Sequence, residues 1–359
     1  MKYLISATAL PFAISFSALA DNWSAEPIVE GLNIPWGLTY VGNNQLMISE
    51  KNGQVGLLDL SDNTYALIGK HPSAYVYGQG GLLDIAYSPF NNELVYFTYA
   101  KQVNNTVETT LSVATYKEKK LSGWQDLIVT QSGADGGRHF GSRITFDQES
   151  LYFSIGDRGE RSNGQDLTTH AGSILKVTPQ GKPASDNPFI KEHQAKPEIW
   201  SYGHRNPQGL FYDDQTKQLW SIEHGPRGGD EINLIERGAN YGWPVTSHGK
   251  EYWGPISVGD SQEKEGVQSP KKVYVPSIAP GSLILYRGKT HPQLNGKLLA
   301  GALKLTHINV LTLKGTEVVK EQRILEDLGE RIRDIESLPN GEIVFSTDSG
   351  KIYQLKSDS

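Results

Sequence analysis

Along the chain, apolar and polar residues alternate with a period of two in short runs, and the runs come in pairs separated by turn residues. Residues 37–41 and 45–49 flank Gly42-Asn43-Asn44, and residues 84–88 and 94–98 flank a turn opened by Pro89. Residues 143–146 and 151–155 flank Asp147, and residues 209–212 and 218–222 flank Asp213. Residues 283–286 and 297–300 are joined by a longer loop ending in Asn295-Gly296, and residues 334–338 and 342–346 flank Pro339-Asn340-Gly341. The six hairpins recur at a mean spacing of about 59 residues, the size of a propeller blade. Several continue into a third run, as at residues 55–60 and 351–355. A sandwich has no reason to repeat one unit six times. The expectation is therefore an all-β fold, a six-bladed β-propeller with four-stranded antiparallel blades. No window keeps a 3.6-residue apolar period over three turns, so little helix is expected.

Residues 158–200 and 240–280 are rich in Gly, Pro and polar residues and are expected to be insertions between blades, looping on one face. Residues 1–20 read as an export signal: Lys2, an apolar stretch, then Ala18-Leu19-Ala20 before Asp21. Pro11 and the small-residue end argue against a membrane anchor, and no later segment reaches ~18 uninterrupted apolar residues. The expectation is a single domain over residues 21–359, periplasmic or secreted, with no membrane insertion after cleavage.

Composition narrows the chemistry. The chain has no cysteine, which excludes thiolate metal sites, iron–sulfur clusters and a cysteine nucleophile. A net charge of −6 lacks the dense cationic footprint that nucleic acid requires.

Four segments combine charge, glycine and aromatics where plain turns would suffice. In residues 136–143, His139 stands among glycines; it reads either as a base facing a cavity or as a structural histidine. Asp157, 18 residues on, could orient that imidazole through Nδ1–H or could simply close an Asx turn. Arg205 and Asn206 set a forked cation beside an amide, suited to an oxygen-rich ligand or to a neighbouring acid. In residues 223–244, exposed carbonyls with Asp230 and Glu231 offer hard oxygen ligands of the kind calcium takes. Lys304, with Arg331 and Arg333 spaced by two on one strand face, could line a cavity for a polyanion or could be ordinary solvated cations.

In one order, the motifs PWGL (35–38), GQGGLL (78–83), GRHFGSR (137–143), IGDRG (155–159), GHRNPQG (203–209), EHGP (223–226), DEINL (230–234), NYGWP (240–244), AGALK (300–304) and RIRD (331–334) span nearly the whole chain. With them the sequence resembles the soluble quinoprotein aldose sugar dehydrogenases, six-bladed propellers related to soluble PQQ glucose dehydrogenase. The resemblance implies oxidation of an aldose sugar at its anomeric carbon, with PQQ and Ca²⁺ as cofactors and an external electron acceptor. It implies His139 as base and Asp157 as its orienting carboxylate. Cofactor contacts fall on Gln79, Arg205, Asn206, Ser277, Lys304, Arg331 and Arg333, and metal ligands on Gly225 and Pro226, with Asp230, Glu231 and Tyr241 in the stretch that supports calcium. Beside Ser277, where glucose-specific relatives carry an aromatic platform, this chain has Val275, so a more open site with broader aldose tolerance is expected. The rival expectations are a calcium-dependent propeller lactonase or other hydrolase, and a non-catalytic binding propeller. The oligomeric state is left open.

Overall fold

The computed structural model describes residues 23–357; the export signal expected at residues 1–20 lies outside them. Six four-stranded antiparallel sheets follow one another around a central channel. Blade 1 comprises β2 (Pro35–Tyr40), β3 (Gln45–Glu50), β4 (Gln54–Asp59) and β5 (Thr64–Lys70). Blade 2 comprises β6 (Leu82–Tyr87), β7 (Leu94–Val103), β8 (Thr106–Lys117) and β9 (Lys120–Val129). Blade 3 holds β10 (Ile144–Phe146), β11 (Leu151–Ile155), β12 (Ser173–Val177) and β13 (Ile199–Tyr202). Blade 4 holds β14 (Pro207–Asp213), β15 (Gln218–Glu223), β16 (Asp230–Ile235) and β17 (Lys272–Tyr274). Blade 5 holds β18 (Pro280–Tyr286), β19 (Lys297–Ala302), β20 (Ile308–Lys314) and β21 (Glu317–Ile324). Blade 6 takes β22 (Ile332–Ser337), β23 (Ile343–Thr347) and β24 (Lys351–Ser357) from one end of the chain and β1 (Trp23–Val29) from the other. Pairing of Trp23 with Ser357, through Ala25 with Leu355, closes the ring by joining the two ends of the chain in one blade. The expected all-β propeller is the observed fold; the only helices among the described residues are three short 3₁₀ turns.

The six hairpins coincide with the first two strands of each blade. Their turns are built as their residues demand: Asp147 Oδ1 accepts the amides of Glu149 and Ser150, and Asn340 Oδ1 that of Glu342. The half-buried alternation holds on the outer strands β5, β9 and β21, whereas β3, β11 and β23 are buried throughout, because each blade is covered on both faces by its neighbours. A repeated hydroxyl ties blades 1 to 4 together at the channel. Ser49, Thr98 and Ser154 each accept an amide from the inner strand of their own blade (Gly37, Asp84, Arg143) and donate to a carbonyl beginning the next (Leu83, Ser142, Pro207).

The expectation for residues 158–200 and 240–280 is corrected. They are not insertions between blades: the first contains β12 and the first half of β13, and the second feeds and contains β17. They share a face only in part. Residues 178–187 lie at the Asp147 end, where Lys176 pairs with Asp147 at 3.2 Å and Asp186 at 2.7 Å. Residues 159–165 and 240–251 instead meet at the opposite end beside Asp157, Gln165 bonding Asn240 and the Trp243 carbonyl and Arg161 pairing with Glu251 at 2.7 Å. Four-strand blades need these connections internally, between the second, third and fourth strands.

Candidate active site

His139 and Asp157 meet at one mouth of the channel. The first precedes β10 and the second follows β11, so adjacent strands carry both residues to the same end. His139 Nδ1 lies 2.6 Å from Asp157 Oδ1. The carboxylate is fixed from three sides, since Oδ1 also accepts the Gly159 amide at 2.7 Å and Oδ2 the Trp243 indole N–H at 2.8 Å. Burial holds the His139 pKa below its ordinary value despite the Asp157 charge. The ring is therefore neutral near pH 7, donating from Nδ1 and leaving Nε2 as an acceptor.

The backbone around this pair is tightly constrained. His139 sits at φ +56°, in the left-handed region, and its amide donates to Gln79 Oε1 at 2.7 Å. Gly156 passes so close that a Cβ there would stand 2.4 Å from the His139 carbonyl oxygen. Only glycine allows that crossing. Buried Arg158 lies over the Phe140 ring at 3.5 Å and donates to the carbonyls of Gly136, Val107 and Arg138, stapling the loop that bears the histidine.

Next to the pair is a cavity of about 270 Å³ lined by Trp36, Lys51, Gln79, Asn206, His224, Arg331, Arg333 and Asp348 among others. Spacing by two does place both arginines together. Arg331 Nε and Arg333 Nε each reach Asp348 at 2.9 Å. Asn206 Oδ1 accepts the Gly141 amide at 3.1 Å. Arg205 donates to the Gly225 carbonyl at 2.8 Å and lies over Trp243. Ser277 Oγ donates to the Pro226 carbonyl at 3.1 Å. Lys304 is exposed, next to Leu303, whose carbonyl accepts from Arg331. Val275 is 76% exposed beside Gly228, leaving the rim open at that point. Burial pushes the His224 pKa down to about 3, so its neutral ring donates Nε2–H to the Pro280 carbonyl at 2.6 Å.

The candidate metal residues divide into two sets. Gly225 and Pro226 border a small separate cavity, and their carbonyls accept from Arg205 and Ser277. Asp230 is spent on structure: its oxygens accept the amides of Gly225 at 2.9 Å and Ala279 at 2.7 Å, and burial raises its pKa to about 6. The Tyr241 hydroxyl is likewise engaged, donating to the Leu234 carbonyl and accepting the Glu236 amide. Strand alternation turns Glu231 away from Asp230 and directly opposite Glu223. There it borders a cavity of about 20 Å³ shared with Gly225, Pro226 and the Tyr241 ring, room for one water or ion. Burial and the Glu223 charge push its pKa up to about 8. Buried Asn233, whose Nδ2 reaches Glu223, leaves Oδ1 unpaired, a donor set suited to a hard cation. Among the described residues no three His, Asp or Glu side chains converge as a metal cluster.

Several residues escaped the sequence reading. Trp243 and Asp348 are positioned by contacts over 86 and 15–17 residues, which no local pattern shows. Arg143 plugs the channel. Its guanidinium pairs with Asp84 at 2.9 Å and Asp334 at 3.0 Å, donates to the Gly281, Gln208 and Arg333 carbonyls, and stacks on Trp36 at 4.2 Å. Its place in GRHFGSR was visible; its role was not.

The match to known proteins follows this geometry along the whole ring. The profile of the glucose/sorbosone dehydrogenase family matches residues 32–354. An aldose sugar dehydrogenase of Escherichia coli is 33% identical over 341 residues, covering 93% of this chain and 92% of that protein. The crystal structure of the soluble E. coli aldose sugar dehydrogenase in its apo form superposes with a TM-score of 0.90 at 31% identity, over 94% of this chain and all of that one. The PQQ-bound form of aldose sugar dehydrogenase from Streptomyces coelicolor does so with a TM-score of 0.78 at 26% identity, over 94% and 99% of the two chains. The chain belongs to the glucose/sorbosone dehydrogenase family and is an oxidoreductase of its aldose sugar dehydrogenase branch.

Proposed function

We propose that the protein oxidises aldose sugars at the anomeric carbon to lactones, with PQQ and Ca²⁺ as cofactors and an external electron acceptor. The observation that carries the reading is the neutral, carboxylate-oriented His139 beside a cavity rich in cations. His139 Nε2 takes the proton of the anomeric hydroxyl, and Asp157, fixed by Gly159 and Trp243, stabilises the imidazolium that results. Gln79 holds the histidine's backbone, so the acceptor nitrogen does not swing away from the sugar. Arg205, Asn206, Ser277, Lys304, Arg331 and Arg333 would hold the cofactor, whose carboxylates suit their charge. The Gly225 and Pro226 carbonyls would hold its calcium, and Glu231 a separate structural ion. When bound, PQQ supplies an ortho-quinone that accepts the anomeric hydride, and Ca²⁺ supplies a Lewis acid that polarises it. Residues 1–20 are proposed as a cleaved export signal that places the enzyme in the periplasm or outside the cell.

The test is reconstitution. Adding PQQ and Ca²⁺ to the purified chain should give reduction of a dye acceptor by glucose and other aldoses. Absence of both cofactor uptake and dye reduction overturns the reading, and lactone hydrolysis without PQQ would assign a hydrolase in its place.

A further inference from the structure

The cavity beside His139 carries more positive charge than its own acids can match. Lys51, Arg331 and Arg333 line it with one carboxylate, Asp348. Both oxygens of Asp348 are taken by the two arginines, at 2.9 to 3.1 Å. Lys51 has no carboxylate within ion-pair distance among the described residues; its ammonium donates to a neutral partner, the Gly78 carbonyl, at 2.7 Å. Burial and the nearby Arg333 charge both work against its protonated form. A half-buried ammonium held next to a second cation, with no anion of its own, is an unfavourable arrangement unless a ligand supplies the charge.

We propose that Lys51 is a cofactor-binding residue, its ammonium reaching a carboxylate of the bound quinone cofactor from the blade 1 side of the cavity. The proposal rests on the reading of the protein as a PQQ enzyme. Lys51 follows β3 and its carbonyl accepts the Leu82 amide, so it is anchored on a rigid blade edge. That anchoring lowers the ordering cost of the contact. An ammonium is a compact point charge with three donors, so it can keep the Gly78 bond while serving a carboxylate.

The rival role is purely structural: Lys51 pins Gly78, Gly78 precedes Gln79, and Gln79 holds His139. Two variants separate the roles. Lys51→Gln can keep a hydrogen bond to the Gly78 carbonyl but loses the charge, whereas Lys51→Met loses both. The wild-type chain and each variant are titrated with PQQ in the presence of Ca²⁺, with uptake followed by tryptophan fluorescence, at two ionic strengths. If Lys51 binds the cofactor, both variants take up PQQ about ten- to a hundredfold more weakly, as expected for losing one charge-assisted hydrogen bond. The salt dependence of uptake also becomes shallower. If Lys51→Gln matches wild type in affinity and salt dependence, the proposal is overturned, whatever Lys51→Met does. Failure of the wild-type chain itself to take up PQQ would instead overturn the functional reading.

Discussion

The central channel has opposite characters on the two sides of Arg143. At the mouth, Lys51, Arg331 and Arg333 outnumber Asp348. Beyond the plug, a cavity of about 240 Å³ is lined by Asp84, Asp334 and Glu336, with Arg143 as the cation that faces them. Both ends belong to the same inner strands, and Arg333 and Asp334 are neighbours on β22. The mouth is left cationic and ready for an anion. The far side neutralises itself by holding protons: burial pushes Asp334 to about 7 and Glu336 to about 8, with the neighbouring carboxylates adding to the rise. A net charge of −6 conceals this polarity, because the field at a site depends on where charges sit and how little water surrounds them.

The largest expected effect removes the proposed base while leaving the cationic mouth intact. His139→Ala should lower turnover roughly 10²- to 10⁴-fold with PQQ uptake nearly unchanged. Uptake lost in parallel, with normal turnover per bound cofactor, would mean that His139 belongs to the binding set. Arg143→Met abolishes the partition itself, leaving Asp84 and Asp334 buried without their cation. A loss of about 3–5 kcal/mol in chemical denaturation is expected, with part regained on adding Asp84→Asn and Asp334→Asn. Unchanged stability would show that the plug is dispensable.

Arg333→Gln sharpens the mouth's half of the contrast. It should weaken PQQ uptake by about tenfold or more, and high salt should narrow the difference from wild type.

The smallest effect tests the far side. Because the Glu336 carboxyl is raised in the folded state, the native protein holds a proton that the unfolded chain has released between about pH 4.5 and pH 8. Its contribution is fully present below that window and is lost as the pH rises through it. Glu336→Gln mimics the protonated form and can still accept the Tyr40 amide. It should flatten the fall in unfolding temperature between pH 5 and 8 and stabilise the protein at pH 8 by on the order of 1 kcal/mol. An unaltered pH profile would place the titration elsewhere.

The site was legible to the extent that chemistry is written locally. His139 and Asp157 stand 18 residues apart around one hairpin, and Arg331 and Arg333 two apart at the start of β22, so extended backbone geometry brings each pair together. Asp230 and Tyr241 show where that reasoning stops. Their side chains looked like ligands, but backbone amides and carbonyls of their own blade and of the blade 5 approach engage them. Adjacent Asp230 and Glu231 turned out to face opposite sides of β16. Only the second, set opposite Glu223, borders a space that an ion could fill.

Period-two alternation, turn residues and a sixfold repeat determined the propeller from sequence, because hairpins are short-range objects and the repeat forces them to pack alike. Sequence likewise carried the His139–Asp157 pair and the paired arginines. Tertiary structure decided what lies across the channel: β1 completing blade 6, Arg143 between Asp84 and Asp334, Trp243 on Asp157, and Lys51 beside Arg333. These contacts join residues dozens to hundreds of positions apart. Closing the ring puts them within a few ångströms, where low dielectric makes each unmatched charge count.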